Sequence, residues 1–200
     1  MEDQTLIVIG REFGSGGREI ATELAKRFHL PIYNKSILEQ LCKEKGYDAN
    51  LLKRYDEKPR NIFASRSVRG FTNSPEENVA QLQFQYLREK AEAGESFVVL
   101  GRCGEEVLKD YPGLISIFVL ADIGFKKART MARDNTPEEE ALELMYRHDR
   151  NRKYYHNQYC RGKWGDSRNY DLCVNSARLG VKGTCDMLEE YIRTRMAHMY

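Results

Sequence analysis

The chain has 200 residues, of which 41% are hydrophobic and 31% charged, and this is enough for one domain with a substantial core. The formal net charge of +2 favours a specific anionic ligand over a general polyanion-binding surface. Apolar runs such as "LIVI" are far shorter than the ~20 residues of a membrane-spanning helix, so we expect a cytoplasmic protein with no membrane partner.

Short apolar strands alternate with longer helical patterns along the chain. The strand candidates are rich in Val, Ile and Phe, as expected for strands buried on both faces of a sheet. They are Thr5–Ile9, Pro31–Tyr33, Phe97–Leu100, Ile115–Ala121 and Asp171–Val174. The helical patterns are Arg18–Phe28, Ser36–Lys45, Glu76–Ala93, Cys103–Asp110, Ile123–Arg133 and Leu179–Met196. This alternation predicts an α/β fold with a parallel sheet and helices on both faces.

Capping residues mark the predicted ends of two helices. Ser74 stands before a proline and two glutamates, which is typical of a helix N-terminus, and Gly94 follows the end of the same helix. In "NTPEEEA", Asn135 or Thr136 is the expected cap of a further helix, from Pro137 to about Tyr155. These signals predict one helix that ends before the strand candidate Phe97–Leu100 and another that begins after the strand candidate Ile115–Ala121.

Two basic segments fit the alternation poorly. One is Tyr47–Asn73, which is rich in turn residues, and the other is Met145–Asn169. Because mobile segments of α/β proteins often cover the ligand edge of the sheet, we expect both to be excursions from that edge.

The stretch "GREFGSGGRE" lies between the first strand and the first helix. Its glycines are Gly10, Gly14, Gly16 and Gly17. Glycine permits positive φ and close approach of backbone N–H groups to phosphate oxygens, and a helix N-terminus adds further N–H groups. Aligned on Gly16, the pattern G-x-x-x-x-G-K-[ST] places Gly17 at the lysine position and an arginine at the hydroxyl position. Arg18 or Arg11 is the candidate replacement cation. The alternative is a glycine-rich turn with a solvated arginine.

The stretch "FVVLGRCGEEVL" repeats the order of strand, glycine and helix. Arg102 follows the strand directly, and the carboxyl ends of parallel strands face the crevice where ligands bind. We therefore expect Arg102 to contact a ligand. The alternative is that Arg102 pairs with an acid such as Glu105 at the edge of the sheet.

The stretch "YRHDRNRKYY" lies on a predicted helix. Arg147 and Arg150 are three residues apart, and Asp149 with Arg152 forms a second stripe. Converging arginines neutralise the charge that develops during phosphoryl transfer. The segment from Arg147 to Arg168 contains seven Lys or Arg residues and two acidic residues, with aromatic residues between them. A solvated helix and a surface for single-stranded nucleic acid are the alternatives, and we favour neither.

The five cysteines are scattered and form no C-x-x-C pair, which favours reduced thiols in a cytosolic protein. His156 and Cys160 are four residues apart, the spacing of one helix face. Because no second pair has the spacing of metal ligands, we interpret these two residues as a coincidence on a helix surface and expect no metal site.

The ordered set of motifs resembles a known family. The glycine loop, "LGRCG" after a central strand and "RHDRNR" before the last strand "YDLCVNSARLG" resemble the nucleoside monophosphate kinases of the cytidylate kinase type. "GREFGSGGREI", "PIYNKSIL" and "KWGDSRNYDLCVNS" are closer still to the cytidylate kinase-like proteins of bacteria. The resemblance spans nearly the whole chain. It implies a single domain over residues 1–200, with a three-layer P-loop kinase fold, a five-stranded parallel sheet and a helical lid.

The resemblance also implies ligands and site residues. ATP and Mg²⁺ would be the cofactors and small-molecule nucleotides the partners, with residues 47–73 over the acceptor and residues 137–169 as the lid. The residues implied at the donor phosphates are Gly10, Arg11, Gly14, Ser15, Gly16, Gly17 and Arg18. Those implied at the transferring phosphoryl group are Arg18, Arg147, Arg150 and Arg152. Those implied at the acceptor are Lys35, Arg102, Asp149 and Asn175.

The chain departs from the cytidylate kinase pattern at two places. The P-loop lysine is replaced at Gly17, and "YNKS" stands in place of an "LDSG"-like stretch, with Lys35 near an acceptor-binding serine position. The first hypothesis is a kinase that converts ATP and CMP or dCMP to ADP and CDP or dCDP, and that loses most activity on Arg150→Ala. The second is a nucleotide- or phosphometabolite-binding protein with little or no phosphoryl transfer, and the third is single-stranded nucleic-acid binding. The acceptor, the Mg²⁺ ligands and the oligomeric state stay open.

Overall fold

Five strands form a parallel sheet in the computed structural model, which describes residues 4–34, 36–46, 67–68, 71–72 and 74–198. They are β1 (Leu6–Arg11), β2 (Ile32–Tyr33), β5 (Phe97–Leu100), β6 (Leu114–Leu120) and β7 (Leu172–Asn175). Their spatial order is β2-β5-β1-β6-β7. Two short strands, β3 (Ser67–Val68) and β4 (Phe71–Thr72), pair antiparallel to each other. The five predicted strands are confirmed, each to within two residues at its ends.

Seven helices flank the sheet or join its strands in the described part of the chain. They are α1 (Gly17–Arg27), α2 (Ser36–Lys45), α3 (Pro75–Glu92), α4 (Gly104–Val107), α5 (Ile123–Asp134), α6 (Glu138–Tyr159) and α7 (Gly180–Ala197). The predicted helix at residues 103–110 was too long, because the chain turns after α4 with the N–H of Tyr111 donating to the carbonyl of Leu108. The lid helix α6 extends four residues beyond its predicted end.

Successive side chains of β1 point to opposite faces of the sheet, so they pack into two separate hydrophobic cores. All six residues of this strand are buried, since β1 has a neighbour on each side and a helical layer on each face. Leu6 and Val8 belong to one core, with side chains from α2 and α3. Ile7 and Ile9 belong to the other core, with side chains from α1 and α7. The sheet is therefore the middle of three layers, as predicted.

Of the two predicted helix N-caps, one is confirmed and the other is wrong. The Ser74 side chain accepts a hydrogen bond from the N–H of Glu77 and caps α3, as expected. Neither Asn135 nor Thr136 caps α6. Asn135 instead ends α5 in the left-handed region at φ 50°, and Pro137 occupies the cap position of α6 without a side-chain hydrogen bond. Among the described residues no helix is both long and apolar enough to cross a bilayer.

Candidate functional site

The glycine loop between β1 and α1 is shaped by two positive-φ glycines. Gly14 has φ 79° and Gly16 has φ 81°. A Cβ at Gly14 would lie 2.8 Å from the carbonyl oxygen of Lys126, so this position also needs glycine for space. Gly16 is the cap of α1, and the loop places the N-terminus of this helix on an open cleft of about 610 Å³. Such a helix N-terminus is suited to anions.

Two buried serine hydroxyls fix the glycine loop on the side that faces away from the cleft. The Ser15 hydroxyl is fully buried and donates to the carbonyl oxygen of Glu12 at 2.9 Å. The Ser176 hydroxyl, just after β7, donates to the carbonyl oxygen of Ser15 at 2.6 Å. Both serines are 0% exposed. The loop is therefore fixed by buried hydrogen bonds on the side away from the cleft, which keeps its shape in the absence of a ligand.

The Arg11 side chain occupies the space next to Gly17. A Cβ at Gly17 would lie 2.5 Å from the Cβ of Arg11 and 3.1 Å from its Cγ. A Cβ at Gly101 would overlap the Arg11 guanidinium itself. Arg11 is 9% exposed and ends the central strand. The geometry thus explains the glycine at the lysine position, because an arginine from the preceding strand fills the volume above it.

Three cavities meet at Arg11. The first is the cleft at the glycine loop, the second has a volume of about 370 Å³, and the third has a volume of about 440 Å³. Arg18 lines the first and third cavities, Arg152 lines the first and second, and Arg102 lines the second and third. Arg11 lines all three. Four of the predicted arginines are therefore brought together at one edge of the sheet, where they create a strongly positive site.

Two further arginines line the first cleft and were not predicted from the sequence. They are Arg129 and Arg133, one turn apart on α5. Arg129 pairs with Glu19 at 2.6 Å, while the Arg133 guanidinium lies 4.6 Å from the centre of the Phe13 ring. Their spacing of four residues on a predicted helix was the available signal.

Asp149 ties the lid helix to the glycine loop. Its Oδ1 accepts a hydrogen bond of 2.6 Å from the N–H of Phe13, and Arg152 and Lys126 lie 3.5 and 3.7 Å from its carboxylate oxygens. Burial raises the pKa of the Asp149 carboxyl, although the Phe13 N–H and the two cations favour its charged form. Because its carboxylate is engaged in contacts with the glycine loop and with two neighbouring cations, Asp149 positions this loop.

Arg102 is held by a buried amide. Its guanidinium donates to Gln83 Oε1 at 2.8 Å, and the residue is 3% exposed with φ 60°. Glu105, the acid considered as its partner from the sequence, instead contacts His156 Nε2 at 2.5 Å. The arginine is buried and lines the second and third cavities, and its contact with a ligand stays a prediction.

His156 and Cys160 do not lie on a helix surface, and that interpretation was wrong. His156 is 6% exposed, and its partner Glu105 has a side chain that is 8% exposed. Burial disfavours the charged imidazolium, but hydrogen bonds to Cys160 and Glu105 outweigh it and raise the pKa of His156 to about 10. The reason for the error is that α6 turns this face toward α4, which is distant in sequence. All five cysteines are free thiols, as predicted.

The family of this chain follows from a comparison of its sequence with models of protein families. Residues 6–178 match the model of the cytidylate kinase-like family. The chain belongs to this family. As a cytidylate kinase-like protein, it is a nucleotide kinase-like protein with a P-loop kinase fold. No match was found among curated proteins.

Solved structures agree with this assignment. The crystal structure of an uncharacterized protein from Eubacterium ventriosum ATCC 27560 has 38% sequence identity and a TM-score of 0.75, over 95% of this chain and 99% of that chain. Shikimate kinase from Bacteroides thetaiotaomicron has 11% identity and a TM-score of 0.54, over 94% and 98% of the two chains. Shikimate kinase from Acinetobacter baumannii, in complex with shikimate, has 13% identity and a TM-score of 0.51, over 96% and 95%. The two shikimate kinases support the fold alone.

Several residues implied by the family resemblance lie elsewhere in this cytidylate kinase-like protein. Arg147 and Arg150 are exposed, and neither lines the three cavities at Arg11. The reason is the phase of α6: buried Met145 and Tyr155 turn the Asp149–Arg152 stripe inward. Asn175 donates to Asp122 Oδ1 at 2.9 Å and accepts from the N–H of a neighbouring residue, so it shapes the turn after β7. Lys35 and almost all of 47–73 lie outside the described residues.

The residues at the loop suit phosphate groups better than they suit Mg²⁺. The glycine cradle, the helix N-terminus and the surrounding arginines match the triphosphate of ATP in charge and donor type. Arg18 stands where a Mg²⁺-binding hydroxyl is usual. The three carboxylates beside the loop are already paired, Glu12 with Lys126 at 2.9 Å, Glu19 with Arg129 at 2.6 Å and Asp149 with the N–H of Phe13. This donor set does not fit a P-loop Mg²⁺ ion.

Proposed function

We propose that this cytidylate kinase-like protein transfers the γ-phosphoryl group of ATP to a pyrimidine nucleoside monophosphate, CMP or dCMP. The single observation that carries the proposal is the position of Arg11. Its stem fills the volume beside Gly17, and its guanidinium lies where the cleft at the glycine loop meets the cavities lined by Arg102. A fixed cation between two anion-binding cavities is what a phosphoryl transfer site requires.

In this proposal the first cleft holds the donor. Backbone N–H groups of the glycine loop and of the first turn of α1 would contact the β- and γ-phosphates, and Arg18 and Arg129 would add charge at the rim. The Phe13 ring, which is stacked on His148 at 4.4 Å, would support Arg133 and Arg152 from below. This aromatic contact adds to the hydrogen bonds that orient the two guanidiniums, from Arg133 to Asp134 and from Arg152 to the carbonyl oxygen of Arg11.

The acceptor would lie on the other side of Arg11. Arg18 and Arg102 line the third cavity together with Asn34 at the end of β2, so this cavity can hold a phosphorylated acceptor. The 5′-phosphate oxygen of the acceptor attacks the γ-phosphorus, the bond to the β-phosphate oxygen breaks, and ADP leaves. Arg11 and Arg152 would neutralise the charge on the transferring group. Catalysis would be positioning and charge neutralisation, without a covalent protein intermediate.

A panel of acceptors tests the proposal. The full chain is incubated with ATP and CMP, dCMP, UMP, AMP or shikimate, and ADP is measured against a reaction without acceptor. We expect ADP formation that depends on CMP or dCMP and that Arg11→Met reduces at least tenfold, since methionine keeps the stem but lacks the charge. Arg178→Met, at an arginine whose side chain is 73% exposed, is the matched control. ADP formation that no acceptor stimulates would disprove the proposal.

The second candidate is an ATP-binding protein that transfers little or no phosphate. The observation that favours it is the donor set at the loop, where an arginine replaces the hydroxyl residue and the nearby carboxylates are paired. Calorimetric titration with ATP distinguishes the two functions. Tight ATP binding that Arg11→Met weakens, combined with no ADP in the acceptor panel, would select this candidate.

No specific observation favours the nucleic-acid hypothesis. Of the aromatic residues in this basic segment, Tyr155 is 5% exposed and the Tyr159 and Trp164 rings contact Phe84 and Phe118, while Tyr154 is 62% exposed. Stacking with bases needs exposed rings.

A further inference from the structure

Three side chains with metal-binding donor atoms meet where α4 packs against the end of α6, and a fourth adjoins one of them. Glu105 Oε1, His156 Nε2 and Cys160 Sγ all lie within 4.8 Å of one another. Glu105 Oε1 is 2.5 Å from His156 Nε2 and 3.9 Å from Cys160 Sγ. The Cys103 side chain is hydrogen-bonded to Cys160 and is 3% exposed. One carboxylate, one imidazole and one thiol therefore converge in the interior, and a second thiol lies beside Cys160.

The four residues arrive as two pairs from two elements. His156 and Cys160 are one helical turn apart at the end of α6, and the N–H of Cys160 donates to the carbonyl of His156 at 2.8 Å. Cys103 is the N-cap of α4, in the left-handed region at φ 53°, and Glu105 is in the first turn of that helix. Both pairs have backbone positions that are fixed by helix geometry, so the donor atoms are held together before any ion binds.

The orientation of the imidazole fits metal binding. Asn157 Oδ1 accepts a hydrogen bond from the N–H of Trp164 at 2.8 Å and lies 3.3 Å from His156 Nδ1. Because this oxygen can only accept, Nδ1 is assigned as the donor, and Nε2 is the nitrogen that faces Glu105 and Cys160. Metal-binding histidines are usually oriented in this way, by a hydrogen bond from the ring nitrogen that does not touch the ion.

A buried ion pair between Glu105 and His156 would not need the two thiols. Thiolates are soft ligands that select zinc over magnesium or calcium. Cys103, Glu105 and His156 line the second cavity at Arg11, but phosphate binding does not account for them, since a thiolate or carboxylate repels phosphate. Cys103 and Cys160 come from the two elements that meet at this contact. Their presence there is therefore the feature that needs another explanation.

We propose that Glu105, His156 and Cys160 bind one Zn²⁺ ion, with Cys103 as the fourth ligand. In a tetrahedral zinc site with bonds of about 2.0–2.3 Å, neighbouring donor atoms are roughly 3.2–3.8 Å apart. The separations of 2.5 and 3.9 Å around Glu105 Oε1 bracket this range, so shifts of roughly 1 Å complete the site. The ion displaces the proton shared by Glu105 and His156 and the two thiol protons, which are released to solvent.

Bound zinc would join two parts of the nucleotide site. Cys103 directly follows Arg102, and His156 is one turn beyond Arg152 on α6. The ion would therefore hold the lid helix against the segment after β5 and keep these two arginines at a constant separation. The zinc site is independent of the proposed phosphoryl transfer, since either can be present without the other.

Cobalt substitution tests the proposal directly. The full chain, stripped with a chelator and kept reduced, is titrated with Co²⁺. We expect one equivalent to produce the d–d absorption of tetrahedral coordination and a thiolate-to-cobalt charge-transfer band. One equivalent of Zn²⁺ should abolish both signals and raise the melting temperature. The absence of both bands, with no Zn²⁺ retained after gel filtration, would overturn the proposal.

Variants identify the ligands. His156→Gln keeps a hydrogen-bond donor toward Glu105 but lacks the imidazole, and Cys160→Ala lacks the thiol. Each should lose the cobalt spectrum and the zinc-dependent rise in melting temperature. The controls are Cys173→Ser and His198→Asn, which change the same residue types outside the cluster and should bind as the wild type does. Circular dichroism of each metal-free variant shows whether it is folded. Spectra that survive both ligand variants, or that a control removes, would refute the assignment.

Discussion

The Asp149 carboxylate, midway along α6, accepts a 2.6 Å hydrogen bond from the backbone N–H of Phe13 in the glycine loop. This single contact joins the lid helix to the phosphate loop across 136 residues of sequence. Removing the acceptor leaves a partly buried N–H without a partner, so we expect Asp149→Ala to lower the free energy of unfolding by about 1–3 kcal/mol. Asp149→Asn retains an acceptor oxygen and should lose less. Urea unfolding measures both, with Asp110→Ala at an exposed turn as the control. Equal losses in the two Asp149 variants would contradict this role.

The same carboxylate predicts a pH dependence. Burial raises the pKa of Asp149 above its ordinary value of 3.8, so the folded state binds this proton more tightly than the unfolded state does. The contribution of Asp149 to the free energy of unfolding therefore falls as pH rises from 3.8 through the raised pKa. Asparagine does not titrate. The free energy of unfolding of Asp149→Asn, minus that of the wild type, should increase from acidic to neutral pH in a series of urea titrations. A constant or decreasing difference would refute the prediction.

Arg11 and Gly17 should be energetically coupled. Gly17→Ala places a Cβ 2.5 Å from the Arg11 Cβ, and such overpacking costs about 1–3 kcal/mol of folding free energy. Arg11→Gly removes the obstructing atoms, so Gly17→Ala should cost much less in that background, where helix propensity favours alanine. A double-mutant cycle by urea unfolding gives the coupling energy, which we expect to be about 0.5–3 kcal/mol. Additive effects would show that the two residues do not share this space.

For Arg150 and Arg152 of α6, the structure and the sequence lead to different predictions about which residue contacts ATP. Arg152 lines two cavities, and its guanidinium reaches the carbonyl oxygen of Arg11 at 3.4 Å, whereas Arg150 is exposed. We expect Arg152→Ala to weaken ATP affinity about 10–100-fold, as the loss of a charged contact would. Arg150→Ala should change it less than twofold. Calorimetric titration with ATP measures both. The reverse order would restore the assignment made from the sequence.

The strands and most helices were predictable because their signals are local. The strand Phe97–Leu100 is a continuous apolar run between turn residues, and Ser74 has capping chemistry on its own side chain, so neither depends on distant partners. The phase of α6 was less predictable. Its arginine spacing is that of a polar face, and the inward face is set by Met145 and Tyr155, which pack against other elements.

The site was predictable in part for the same reason. The glycine loop carries its own signature, and Arg102 is identified by its place after a strand. The contact between Glu105 and His156 joins residues 51 positions apart, and no local pattern indicates that α4 and the end of α6 meet. Arg129 and Arg133 join the cleft only because α5 packs beside α6. The sequence identifies residues whose chemistry suits phosphate, and the packing decides which of them line the same cavities.

The crowding around Arg11 has a consequence for the evolution of this family. A side chain at position 17 would collide with the arginine that ends β1, so positions 11 and 17 must change together. We therefore expect relatives that carry lysine at position 17 to have a small residue at position 11, whereas glycine at 101 is favoured in either case because its φ is 77°. In such relatives the cation sits on a long flexible stem at the start of a helix. In this chain it is immobilised when the protein folds, so binding an anion costs it little further side-chain entropy.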